Sequence, residues 1–424
     1  MSVNTFPAPA TLEPGTNQLV LSKKIAFNSG AIALTTAIPA DSYIVTVKSD
    51  VNRAVLPSYN DFTSSDMFNP TYVTTTSSVS SLELRTTQPF TQIGTSTDLT
   101  ASIAGTSKLY YLNGYYFTIR AGQNGVYYKK ESELLSFTSP DLDTWTLLTT
   151  GLPNNDLTSL AVNETNNTIL ATTGGSGASN FGLITVASGS VTSTLLTSPV
   201  TNTVDAAFGN GVFMIVTSGN ACYTSPTGTT WTLRSSAVAG ATTPLKLIYG
   251  GSTIGWLVAN SNSTTAVYRS TTASGGVTWA LVQTAASGTE YNDLVLSGDK
   301  VILNTRAQSA DVAVYTTDGT TYTSITAKPA VVGDFNTVNT YVFFTNVITG
   351  ETFRVSSDFL TFTSIQTFTP QTSAGSAFSR ALCSSAGTLV YISYYSTNTD
   401  STTTVAKLIE NDCLVQFYKP ILTE

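Results

Sequence analysis

A seven-residue pattern of hydroxyl, turn residues, threonine and then an aromatic returns along most of this chain. Residues 139–145 read SPDLDTW, 225–231 SPTGTTW, 316–322 TTDGTTY and 356–362 SSDFLTF, and a version with a longer turn spans 270–279 as STTASGGVTW. The closing aromatics fall at Trp145, Trp231, Trp279, Tyr322 and Phe362, with separations of 86, 48, 43 and 40 residues. The first gap is twice 43, which calls for one degenerate copy near residue 190, and residues 183–196 supply a strand, a Gly-Ser turn and a strand there. A period of this length means one supersecondary unit stacked on copies of itself, because a unit so small cannot bury its apolar face alone.

Each motif follows an alternating apolar segment, such as 221–224 or 313–316, and precedes another, such as 231–233, so the motif is the turn of a β-hairpin. Upstream of each lies a more apolar pair: 206–208 and 212–216 around Gly209-Asn210-Gly211, then 294–296 and 301–304 around Ser297-Gly298-Asp299. No segment sustains a helical period, and β-branched residues with Tyr and Phe dominate. Four short antiparallel strands per repeat predict an all-β fold, a β-propeller of four-stranded blades. Inner strands beginning near Thr100, Ser159, Asp205, Lys246, Asp293, Asp334 and Arg380 give seven blades. The five motif aromatics, at equivalent places, should be largely buried between neighbouring blades.

These readings set the domain plan. The propeller spans 81–395, and residues 82–93, LELRTTQPFTQI, are similar to the outer hairpin at 353–365, FRVSSDFLTFTSI, so 81–94 are a candidate to complete the last blade. Residues 1–80 do not repeat. Pro7, Pro9 and Pro14 make 1–15 an extended arm, since proline fixes φ and donates nothing to a ladder. Segments 18–21, 31–35 and 42–48 read as strands of a small β-domain, and 50–80 as a long loop or docking segment. Residues 396–424 either close the last blade, through a hairpin of 403–409 with 413–417, or pack on the N-terminal domain.

The turns resemble the Asp-box repeats of sialidase-like propellers, whose pattern is roughly S-x-D-x-G-x-T-W. Here the box is one residue shorter and keeps its aspartate at Asp141, Asp318 and Asp358. The resemblance implies a structural turn on the outer edge of a blade, linking its third and fourth strands, with no catalytic role. The short form also resembles propellers found in tailed-phage virion proteins.

Composition removes most chemistry. Only 11% of the residues are charged, against about 25% in ordinary domains, and no stretch reaches the roughly 18 consecutive apolar residues of a spanning helix. The net charge of −7, with no Lys/Arg cluster, lacks the basic stripe that phosphate contact needs, so nucleic acid is not an expected partner. There is no histidine, which removes the commonest general base and the usual ligand of zinc, copper and non-haem iron. Cys222, Cys383 and Cys413 are scattered and odd in number, and read as free thiols, mostly buried. No secretion signal is read at the N-terminus. No metal and no cofactor is expected.

In the aligned inner strands Thr100, Ser159, Asp205, Lys246, Asp293, Asp334 and Arg380 fall at one equivalent position, a ring of three acids, two bases and two hydroxyls. It reads as a solvated channel lining, or alternatively as a small-ligand or cation site among Asp205, Asp293 and Asp334. Sialidase-like hydrolysis needs an arginine cluster on the inner strands, and only Arg380 of the eight arginines is placed there. A second cluster, Tyr110, Tyr111, Tyr115, Tyr116, Tyr127 and Tyr128, reads as core and cross-strand packing. A polar, Ser/Thr-rich surface without an export signal fits a virion protein assembled in host cytoplasm. The expected function is structural, in the tail, a fibre or the capsid surface of a tailed phage, with other virion proteins and further copies of itself as partners. Receptor-glycan binding is the alternative, and no enzyme activity is expected.

Overall fold

The computed structural model describes the strands from Ser2 to Pro420 and side chains mainly within 108–325, with short gaps. The chain divides into two compact units, Gln92–Lys407 and a second made of Met1–Thr91 with Leu408–Glu424. The larger unit therefore extends past the expected 81–395 at its C-terminal end.

Among the described residues the larger unit holds seven four-stranded antiparallel sheets, six of them in simple chain order. The second sheet is representative. Its inner strand Leu157–Asn163 pairs with Thr168–Thr173, which pairs with Asn180–Ala187, which pairs with the outer strand Ser190–Thr197. The degenerate copy expected near residue 190 is this last hairpin, closed by Ser188 and Gly189 at φ of 51° and 77°, the tight-turn conformation that matches strand twist. The seventh sheet takes Ala377–Cys383, Thr388–Tyr395 and Ser401–Leu408 from the C-terminal part and Phe90–Leu99 from the N-terminal part. The end of the candidate segment 81–94 thus enters the last sheet as expected, as part of the single strand Phe90–Leu99, while residues 83–89 lie outside the described residues. Three strands of that sheet are already supplied, so one slot remains, and Val79–Leu82 pairs instead with Ile32–Ile38.

Three further expectations are corrected. The first sheet's inner strand is Tyr110–Leu112, not a segment starting at Thr100, which itself lies outside the described residues. Segment 50–80 contains the strand Thr71–Thr74, and Ser2–Asn4 in the arm pairs with it, because the prolines begin only at Pro7. Residues 403–409 and 413–417 do not pair with each other. Asp412–Pro420 runs between Asn17–Ala26 and Tyr43–Lys48 in the five-stranded sheet of the smaller unit.

The core lies between successive sheets rather than inside any one. Phe117 and Val126 of the first sheet pack with Leu160 and Ile169 of the second; Phe181 packs with Phe213 and Ile215; Met214 and Val216 with Trp256 and Val258; Leu257 and Ala259 with Val301 and Leu303. Among the described residues the second, third and fourth sheets are apolar on both faces near their inner strands, which is why the repeat cannot stand alone.

Cys222 is buried in the third of these cores and is not disulfide-bonded. Burial pushes its thiol from 9.0 up to about 12, against a smaller downward pull from Arg234. The thiolate is the reactive form, so peptide-resolved alkylation at pH 8 should leave Cys222 unlabelled in the native protein and label it on unfolding. The raised value also ties stability to pH. The contribution is complete below the ordinary thiol value and is lost as pH rises towards the native one. Stability should fall by up to about 1.4 kcal/mol per pH unit in that window, and less steeply in Cys222→Ala.

Candidate functional site

In the three motifs among the described residues the opening hydroxyl caps its turn. Ser225 Oγ accepts the Gly228 N–H at 2.8 Å, Ser270 Oγ that of Gly276 at 3.0 Å, and Thr316 Oγ1 that of Gly319 at 2.8 Å. These glycines have φ of 82°, 89° and 75°, a region costly for residues with a Cβ. Each also leans on the preceding sheet. A Cβ would stand 3.2 Å from Leu170 at Gly228, 2.8 Å from Met214 at Gly276, and 2.8 Å from the Ile254 carbonyl oxygen at Gly319. Three residues on, the indole N–H of Trp231 donates to the Gly228 carbonyl at 3.0 Å and that of Trp279 to the Gly276 carbonyl at 2.8 Å. In the fifth sheet Asp318 Oδ1 accepts the N–H groups of Thr321 and Thr320, each at 2.7 Å, and these donors hold its carboxyl well below the usual carboxylate range. Asp141 and Asp358 lie outside the described residues.

Trp145 is 7% exposed. Trp231, Trp279 and Tyr322 are half-buried, less than expected. Each still packs on the core that joins its sheet to the one before. Trp231 meets Phe181 of the second sheet edge-to-face, ring centroids 5.5 Å apart. Phe362 lies outside the described residues.

The inner strands share a second device. Their pairing slips at Leu157/Ser159, Thr203/Asp205, Pro244/Lys246 and Tyr291/Asp293, so in four successive sheets the polar residue singled out from sequence sits just past a bulge. A bulge re-aims the side chain beside it. Asp334 and Arg380 occupy inner strands without such a slip. Ser159 and Asp205 are only 3% and 8% exposed, unlike the solvated lining expected of them. Asp205 Oδ1 accepts the Ser159 hydroxyl at 2.5 Å and its neighbour Ala206 N–H at 3.0 Å, while Oδ2 accepts the Leu247 N–H at 2.8 Å. One carboxylate therefore ties three consecutive sheets. Lys246 is half-buried, and the side chains of Asp293, Asp334 and Arg380 lie outside the described residues.

Sequence reasoning missed Lys108. It lies two residues ahead of the strand Tyr110–Leu112 and four before its end, the same sequence offset that Asp205 has from Gly209, where the reading from sequence had put Thr100. Its ammonium donates to the Leu294 carbonyl at 2.6 Å. Counting back from the Asn113-Gly114 turn, by analogy with Asn210-Gly211, was the signal that could have found it.

Several further polar groups among the described residues are absorbed by the fold. Tyr116 is fully buried, Tyr111 donates to Glu131 Oε2 at 2.6 Å, and Tyr115 donates to the Gly189 carbonyl at 2.5 Å, tying the first sheet to the second. Arg269 donates to the carbonyls of Ile254 and Thr253, and Arg234 to Thr224 Oγ1. Among the described residues no three Cys, Asp or Glu side chains converge as a metal-binding group, and no helix is long and apolar enough to cross a membrane.

No protein-family model and no curated protein matches the sequence. Among solved structures the chain is similar to the β-propeller domain of Cps50 (Swd1) from Myceliophteria thermophila, with a TM-score of 0.50 at 8% identity over 75% of this chain and 99% of that one. It is also similar to a chain of the mitotic checkpoint complex, with a TM-score of 0.52 at 8% identity over 75% of this chain and 94% of that one. The likeness is one of fold: an all-β, propeller-like arrangement of four-stranded antiparallel blades.

Proposed function

We propose that this chain is a structural virion protein of a tailed phage, in which a seven-bladed propeller with shortened Asp-box-type turns serves as a rigid module for contact with neighbouring virion proteins and further copies of itself. The observation that carries the reading is where the polar groups go. Ser159 and Asp205 are consumed in tying blades together, Arg234 and Arg269 in bracing them, and the turn hydroxyls in capping. What faces outward instead includes Leu195, Leu233 and Leu281 on the outer strands of three successive blades. Exposed aliphatic side chains on a braced frame suit protein contact better than turnover.

Low charge and a Ser/Thr-rich composition support exposure on a particle assembled in host cytoplasm. Receptor-glycan binding by the same surface is the second reading, and a sialidase-like hydrolase the least supported. The test is to purify intact particles and quantify this chain. A fixed stoichiometry with the major virion proteins, together with no turnover of sialosides or neutral oligosaccharides, is expected. Its absence from particles removes the virion role, and hydrolysis that vanishes in Asp293→Asn or Asp334→Asn replaces it with the enzyme reading.

A further inference from the structure

Every core described above joins a sheet to its neighbour in chain order. One contact does not. The Lys108 ammonium, just ahead of the first sheet's inner strand Tyr110–Leu112, donates to the carbonyl oxygen of Leu294 on the fifth sheet's inner strand Tyr291–Ser297, 186 residues away in sequence. Packed sheets stand about 10 Å apart, so a row of five, each stacked on the last, would hold its ends far beyond the reach of one lysine. The succession has therefore turned back on itself, bringing the first and fifth inner strands to face one another over a common axis.

We propose that Lys108 is an axial strap, a cation carried by the chain itself that locks the first blade to the fifth and keeps the ring of inner strands from opening. Three features fit that role. The side chain is half-buried, so its hydrogen bond is less screened than one on open surface. The bond is charge-assisted and directed at a backbone atom, so it restrains the strand itself rather than another mobile side chain. It also complements the Asp205 network. Asp205 ties the second, third and fourth sheets to one another, and Lys108 joins the sheets on either side of that trio. With both in place the inner strands of five consecutive sheets are held by polar bonds independent of the apolar cores.

The test is peptide-resolved hydrogen–deuterium exchange on the full chain, comparing the native protein with Lys108→Met, which keeps length and bulk but donates nothing. The amides of Tyr110–Leu112 and Tyr291–Ser297 should exchange roughly ten- to a hundredfold faster in the variant, the range expected for losing one hydrogen bond from a charged group. The third sheet's inner strand, Thr203–Gly209, should keep its native rate. Lys108→Arg, which keeps the charge and a donor, should protect both strands as the native lysine does. Unchanged rates in both strands of Lys108→Met overturn the proposal, as does an acceleration shared equally by the third sheet. Should Lys108→Met not fold, Lys108→Gln takes its place with the same two readings.

Discussion

Replacing Asp205 by alanine is expected to destabilise the protein by about 3 to 5 kcal/mol in urea unfolding, the cost of removing one partner from a buried, charge-bearing hydrogen-bond network. The change strands three donors at once: the Ser159 hydroxyl, the Ala206 N–H and the Leu247 N–H, each within 3.0 Å of the carboxylate. No water can reach them easily, since Asp205 is 8% exposed. Asp205→Asn should cost less, because one amide oxygen still accepts, yet the amide nitrogen cannot accept from both sides as a carboxylate does. Ser159→Ala should cost less again, as it removes a donor and leaves the carboxylate two backbone partners. An Asp205→Ala variant within 1 kcal/mol of the native protein would show that the second, third and fourth sheets are held by their apolar cores alone.

Trp231→Ala is expected to cost about 3 kcal/mol, at the lower end of the range for truncating a core tryptophan because the residue is only half-buried. The indole fills the junction between the second and third sheets against Phe181, and its N–H ties it to the turn glycine. Leu233, two residues on and 53% exposed on the outer strand, is the internal control, and Leu233→Ala should stay within about 0.5 kcal/mol of native. Equal losses at the two positions would mean that the motif aromatics are not what locks one sheet onto the last.

The repeat itself was legible without coordinates. Hydroxyl, glycine and aromatic recur together at 225–231 and 316–322 because turn geometry demands each of them locally: a cap for an N–H, a residue free to take positive φ, and a ring to seal the junction. The four-strand unit, the degenerate copy near residue 190 and the inner-strand positions of Ser159, Asp205, Lys246 and Asp293 follow from the same short-range chemistry, readable within one repeat. At the chain ends the sequence pointed to the right segments but left their strand partners open. Phe90–Leu99 completes the seventh sheet and Asp412–Pro420 enters the other unit, pairings between segments hundreds of residues apart that no local pattern specifies. The fate of the polar ring was equally hidden. A strand's alternation tells that Asp205 and Ser159 leave the apolar face, but whether they meet solvent or each other depends on how closely neighbouring sheets approach, and only tertiary packing sets that distance. Lys108 shows the same limit most plainly: its partner Leu294 is 186 residues away, and no local pattern in a sequence encodes a contact made only when a row of sheets has curved round an axis.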